Sequence, residues 1–240
     1  MKIWIFGPSV ATAYKLEETQ GWPYLLSQSL DTEYVNFARE SVDNLFIYHT
    51  FLENYKQINK DDIVIIGWSH PTRKTFVFDK YNPAHKEALP NSLQYKTATE
   101  TFFRSSNQRP DTKSKWSLLR PKDTGIKFFD TWFNNYFSEH EQRCNFQSYL
   151  DSVKLRVPCC YIPFYFSQES TTGLNVDRCD NFMLDFVIAH DVAISEQDYH
   201  PNAQGHILWY QHLLKQIKNE NTILTNTIDI VPNSVYNKQN

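Results

Sequence analysis

Apolar residues fall in two alternating rhythms along this chain: short unbroken runs, and longer stretches where they recur every three or four positions. Lys2–Phe6 reads as a first strand, Trp22–Leu30 as a helix, Glu33–Phe37 as a second strand and Val42–Tyr55 as a second helix that buries Leu45, Leu52 and aromatic residues. Ile63-Val64-Ile65-Ile66, inside 61–68, is the pattern of a strand covered on both faces. Residues 126–154 read as mostly helical, with Phe129, Trp132, Phe133, Tyr136 and Phe137 spaced to share one apolar stripe. Val157–Phe166 reads as a fourth strand and residues 180–190 as a helix. A last helix is expected from His200-Pro201 to about Lys218, with Pro201 at its first position.

Strand and helix alternate, which predicts an α/β fold: a three-layer sandwich with a mostly parallel sheet. Residues 69–125 break the pattern, being long, polar and rich in Pro, Lys and Arg. Connections in compact domains are short, so about 70–125 reads as an insertion or lid, with a little helix near 93–103. The expected organisation is one domain over 1–222 and a C-terminal tail over 223–240.

Composition narrows the function classes. The 240 residues carry a net charge of −3, so no global basic field points to nucleic acid. No apolar run approaches the roughly 20 residues that span a bilayer. The N-terminus has one lysine and four apolar residues before Gly7-Pro8, too little for a signal peptide, so a cytoplasmic protein without membrane contact is expected. Cys144, Cys159, Cys160 and Cys179 include no Cys-x-x-Cys pair and read as reduced, buried residues. No two histidines have metalloprotease spacing; no metal and no cofactor are expected.

The candidate chemistry lies where a parallel sheet gathers it, at the carboxyl ends of the strands. Gly7-Pro8-Ser9 follows the first strand, Asn36–Asn44 the second and Gly67–Arg73 the third, while Asp198-Tyr199-His200-Pro201 precedes the last helix. A serine, a histidine with an acidic neighbour and several hydrogen-bonding residues are the inventory of nucleophilic acyl transfer. Structural readings stand beside this one. Ser9 suits a turn or a helix cap, Ser69 a strand-end turn, His200-Pro201 a helix start, and His206 a helix residue packing its own turn.

In their order along the chain these blocks resemble the SGNH (GDSL-like) hydrolase superfamily, whose fold is flavodoxin-like. Gly-Pro-Ser stands where that family has Gly-Asp-Ser, keeping Ser9. Asn36 and Ala38 match the second block, with Ser41 at its glycine position. Gly67 matches the third block, with Ser69 in place of asparagine. Gln197 occupies the family's aspartate position, and Asp198 lies one residue nearer His200.

The resemblance implies a serine hydrolase acting on an O-acyl ester, a small molecule or a glycan. Ser9 attacks, His200 moves the proton, and Asp198 orients it with Glu196 in reserve. The N–H groups of Ser9 and Ser41 and the Ser69 hydroxyl would form the oxyanion hole. On the substrate side stand Asn44 and His70 as substitute donors, Trp68 as a platform for a sugar ring, and Arg73 as a clamp for a carboxylate or sulfate. The same site would serve acyl transfer to a sugar hydroxyl. A retired module that binds a glycan or a protein is the reading from another class. Arg104, Arg109, Lys113, Lys115, Arg120 and Lys122 read as a solvated basic loop.

Overall fold

The computed structural model describes residues 1–40, 42–71, 73–78, 115–119, 135–176 and 181–228, with the side chains of 74–78, 115–119 and 220–228 outside the description. Four strands form the central sheet: β1 (Lys2–Phe6), β2 (Glu33–Asn36), β3 (Ile63–Trp68) and β6 (Cys160–Tyr165). All pair in parallel in the order β2-β1-β3-β6, with Ile5 beside Asn36 and Phe6 beside Ile66. From β1 the chain crosses outward to β2 and then returns to β3 on the other side. The strand order therefore reverses between β1 and β3, where open α/β sheets leave a crevice at their carboxyl ends.

Alternation along the strands builds two cores. Ile3, Ile5, Ile63, Ile65, Ile162 and Phe164 face one way. They are covered by α1 (Trp22–Ser29), α4 (Met183–Ala189) and α5 (Ala203–Ile228), which contribute Trp22, Leu26, Val187, Trp209 and Leu213. Trp4, Phe6, Val64, Ile66 and Trp68 face the other way, under Phe46 and Phe51 of α2 (Asn44–Asn54) and Phe146 and Leu150 of α3 (Glu139–Arg156). The result is the expected three-layer α/β sandwich. Each fully buried large apolar side chain contributes roughly 1.5–3 kcal/mol. At the far end of the sheet, Asp62 accepts from the Lys2 N–H at 2.8 Å and the Trp4 indole at 2.9 Å, fastening β1 to the entry of β3.

Several elements differ from the sequence expectation. His200-Pro201 does not start the last helix. Both lie in β8 (Asp198–Pro201), which pairs antiparallel with β7 (Ala193–Ser195) as a small hairpin. The helix begins at Ala203 because Asn202 caps it: its side-chain oxygen accepts from the Gly205 N–H at 2.9 Å. That helix continues past Lys218 to Ile228 through a polar stretch holding no glycine or proline to stop it. Helix α3 starts at Glu139, where Ser138 accepts from the Glu141 N–H at 3.2 Å. Tyr136 is 70% exposed and joins no buried stripe, while Phe129, Trp132 and Phe133 lie outside the described residues.

Of the insertion, β4 (Lys74–Phe78) and β5 (Lys115–Leu119) form an antiparallel pair, and 79–114, with the helix expected near 93–103, lies outside the description. The tail beyond Ile228 lies outside it too. Cys160 is buried and Cys159 half-buried, but Cys144 is exposed on α3, and Cys179 lies outside the description. Among the described residues no helix is long and apolar enough to cross a membrane.

Candidate active site

Beyond Phe6 the chain turns at Gly7-Pro8 into a short 3-10 helix, Ser9–Ala11, closed by Ala11 N–H donating to Pro8 O at 2.9 Å. Gly7 packs tightly against the serine turn and the end of β3. A Cβ there would lie 3.0 Å from the Ala11 Cβ and 3.3 Å from the Gly67 backbone. The turn is tied down on both sides. The Trp22 indole donates to Val10 O at 2.9 Å, and the Asn36 amide to Ala11 O at 2.9 Å. Asn36 also accepts from the Ala38 N–H at 2.9 Å, and Arg39 N–H donates to Gly7 O at 2.8 Å, so the loop after β2 is held against the serine turn. Ser9 heads the 3-10 helix, and the leading N–H groups of such a turn have no partner within it.

His200 reaches Ser9 from the hairpin: Ser9 Oγ and His200 Nε2 are 2.7 Å apart. Asp198 Oδ1 lies 2.5 Å from His200 Nδ1 and also accepts from the His200 N–H at 3.3 Å. The one-residue spacer between them fits a strand. Residues i and i+2 share a face, so Asp198 and His200 point together while Tyr199, 52% exposed, points away. Glu196 is exposed at the hairpin turn and takes no part in these contacts, so of the two acidic candidates Asp198 holds the ring. Gln197, which the sequence resemblance sets at the acid position, donates its N–H to Ser195 Oγ at 3.3 Å.

Burial opposes ionisation of Asp198, but hydrogen bonds from Lys15 and His200 together outweigh it and bring the carboxyl down to about 2. An ionised carboxylate only accepts, so His200 Nδ1 carries the proton and the Nε2 lone pair faces the Ser9 hydroxyl. Tyr14 lies over the imidazole with ring centroids 4.1 Å apart, and Lys15 Nζ donates to Asp198 Oδ2 at 2.7 Å. Neither residue is legible as a site residue in the sequence; their only signal is closeness to Ser9 along the chain.

The β3 side is arranged differently. Asn44, the first residue of α2, closes its side-chain amide on the Ser69 backbone: Nδ2 donates to Ser69 O at 3.0 Å and Oδ1 accepts from Ser69 N–H at 2.7 Å. Ser69 is fully buried, and its Oγ accepts from Arg73 Nη1 at 3.1 Å. The Arg73 guanidinium also lies over Phe166 at 5.3 Å, and His70 meets the same ring edge-on at 6.1 Å. Burial, then the Arg73 charge, lowers the His70 pKa. Trp68 corrects the sequence reading: it is fully buried against Phe146 in the core, with its indole N–H 3.3 Å from Tyr161 Oη, and offers no face for a sugar. Ser41 lies outside the described residues.

His206 does more than pack its own turn. Fully buried on α5, it accepts the Trp22 N–H, an orphan donor at the start of α1, at 3.1 Å through Nδ1. Burial, then the nearby His200, lowers its pKa to about 4. Among the described residues no three His, Cys, Asp or Glu side chains gather in a way that could hold a metal ion.

The fold and this edge define an α/β three-layer protein with a serine–histidine–aspartate chain of hydrogen bonds at the carboxyl end of its sheet. Among solved structures the chain is similar to the psychrotrophic esterase EstA from a Pseudoalteromonas species, at 11% identity and a TM-score of 0.48 over 92% of this chain and 98% of that one. It is also similar to a member of the lipolytic protein G-D-S-L family from Veillonella parvula, at 11% identity and a TM-score of 0.39 over 90% and 97%. No protein-family model matches the chain, and no curated protein matches it by sequence.

Proposed function

We propose that this protein is a serine hydrolase of the SGNH type that cleaves an O-acyl ester. The observation that supports this most is the unbroken line Ser9 Oγ–His200 Nε2, His200 Nδ1–Asp198 Oδ1, at 2.7 and 2.5 Å. Ser9 Oγ attacks the acyl carbonyl while His200 Nε2 takes its proton. Asp198 holds the tautomer and stabilises the imidazolium. The carbonyl oxygen becomes an oxyanion against the Ser9 N–H. Collapse expels the alcohol, which receives the proton from His200 and leaves the acyl group on Ser9. Water, deprotonated by His200, then releases the acid.

The substrate we propose is an O-acylated carbohydrate or similar small ester. Asn44 has its amide spent on Ser69 and Trp68 is in the core, so substrate contacts fall to His70 and the loop around it. A fluorophosphonate probe should label the wild-type protein and fail to label Ser9→Ala. Hydrolysis of acetylated sugars compared with short-chain aryl esters then tests the substrate class. An unlabelled wild type that still binds glycans would instead favour the non-catalytic reading, for which the buried Ser69 at the family's asparagine position is the motivating feature.

A further inference from the structure

Asp198 is held from two sides. Its inner oxygen meets His200, while its outer oxygen meets Lys15 Nζ at 2.7 Å, across 183 positions of chain. The aspartate side chain keeps 19% of its exposure, so without Lys15 water would compete for that outer oxygen and leave the carboxylate free to rotate off the ring. The lysine comes from the turn that follows Ser9, so nucleophile and clamp are carried on one short segment.

The backbone at Lys15 adds an independent observation. Its φ is +58°, in the left-handed region that side chains disfavour. The other two such non-glycine residues among those described, Asp31 and Asp191, follow α1 and α4, where a left-handed residue commonly ends a helix. Lys15 ends no α-helix. The strained turn places Tyr14 over His200, its ring tilted 30° to the imidazole, and Lys15 on Asp198, and the ammonium lies 5.1 Å from the Tyr14 ring.

Building on the hydrolase reading, we infer that Lys15 is a positioning residue for the acyl-transfer site, clamping the outer oxygen of Asp198 so that its inner oxygen stays on His200 Nδ1, with Tyr14 limiting the swing of the imidazole. Besides these, the charged or titratable groups facing the pair are few among the described residues. His206 approaches from α5 and is itself acted on by the His200 charge. Asp185 of α4, the helix packed on β8, instead accepts from the Gln168 N–H at 2.7 Å. Lys15 therefore supplies the local positive charge.

The test follows fluorophosphonate labelling rate against pH in wild type, Ser9→Ala, Lys15→Met and Lys15→Arg, with thermal unfolding as a control for folding. Lys15→Met should lower the rate about tenfold to 100-fold. Lys15→Arg should recover most of the rate. A second readout needs no activity: the Asp198 carboxyl carbon, followed by NMR, should titrate near 2 in wild type and closer to the ordinary 3.8 in Lys15→Met. A folded Lys15→Met protein with unchanged labelling, or with an unchanged Asp198 titration, overturns the inference. If the wild type shows no Ser9-dependent labelling while Asp198 still responds to Lys15, the hydrolase reading falls and Lys15 keeps only a structural contact.

Discussion

Ser9 and Ser69 hold matching places, each just beyond the carboxyl end of a central strand, and both are buried. Their surroundings make them chemically unlike. The Ser9 hydroxyl meets an imidazole nitrogen whose lone pair is free to take its proton. The Ser69 hydroxyl meets a guanidinium, which only donates, and its backbone is closed off by Asn44. On the proposed reading, one edge of the crevice moves a proton, while the other holds two loops together. Position after a strand leaves the two serines alike; the partner across the crevice sets them apart.

The strongest way to break this contrast is to remove each hydroxyl. Ser9→Ala should lose ester turnover by a factor on the order of a million, whereas Ser69→Ala should keep labelling at Ser9. Equal losses in the two variants would erase the distinction.

Next in size is the acid. Asp198→Asn should fold normally and lower turnover by about 10⁴-fold, because an amide holds the wrong tautomer. Glu196→Gln should leave aryl-ester hydrolysis near the wild-type rate, and a large loss there would mean that the hairpin's other carboxylate matters.

His206 sharpens the comparison through stability. Its pKa is near 4 when folded and 6.5 ordinarily, so the unfolded chain binds the proton more readily. The stabilisation is full above about 6.5 and is lost as pH falls through about 4, a change of roughly 3 kcal/mol. Denaturant unfolding between about pH 7 and about pH 4 should show it, and His206→Gln should flatten that slope.

The smallest effect is expected from Asn44→Ala. It leaves the buried Ser69 N–H and carbonyl unpaired, costing about 1–3 kcal/mol in thermal unfolding while Ser9 labelling continues. Abolished labelling in a folded Asn44→Ala protein would show that the β3 edge takes part in the chemistry.

The sheet was largely legible in the sequence because strands buried on both faces must be apolar throughout, as Ile63–Ile66 are. Ser9 and His200 were legible for a related reason: strand ends in a parallel fold gather at one edge, so order along the chain foretells proximity. The Asp198 spacing was harder to read. Asp-Tyr-His looks one residue short until β8 is known to be a strand, and the hairpin was hidden by His200-Pro201 resembling a helix start. Trp68 was misread because its place at the carboxyl end of β3 does not say whether its ring turns back under Phe146 of α3 or out toward the crevice.

The sequence by itself determined the layering, the crevice edge and the meeting of Ser9 with His200, since periodicity and element order are properties of the chain alone. Only the tertiary structure decided which acid holds His200, that Lys15 and Tyr14 join it from the turn behind Ser9, and that Asn44, Ser69 and Arg73 close on one another. Those choices depend on the direction of individual side chains and on contacts between residues far apart along the chain, such as Lys15 and Asp198, for which no periodicity leaves a trace.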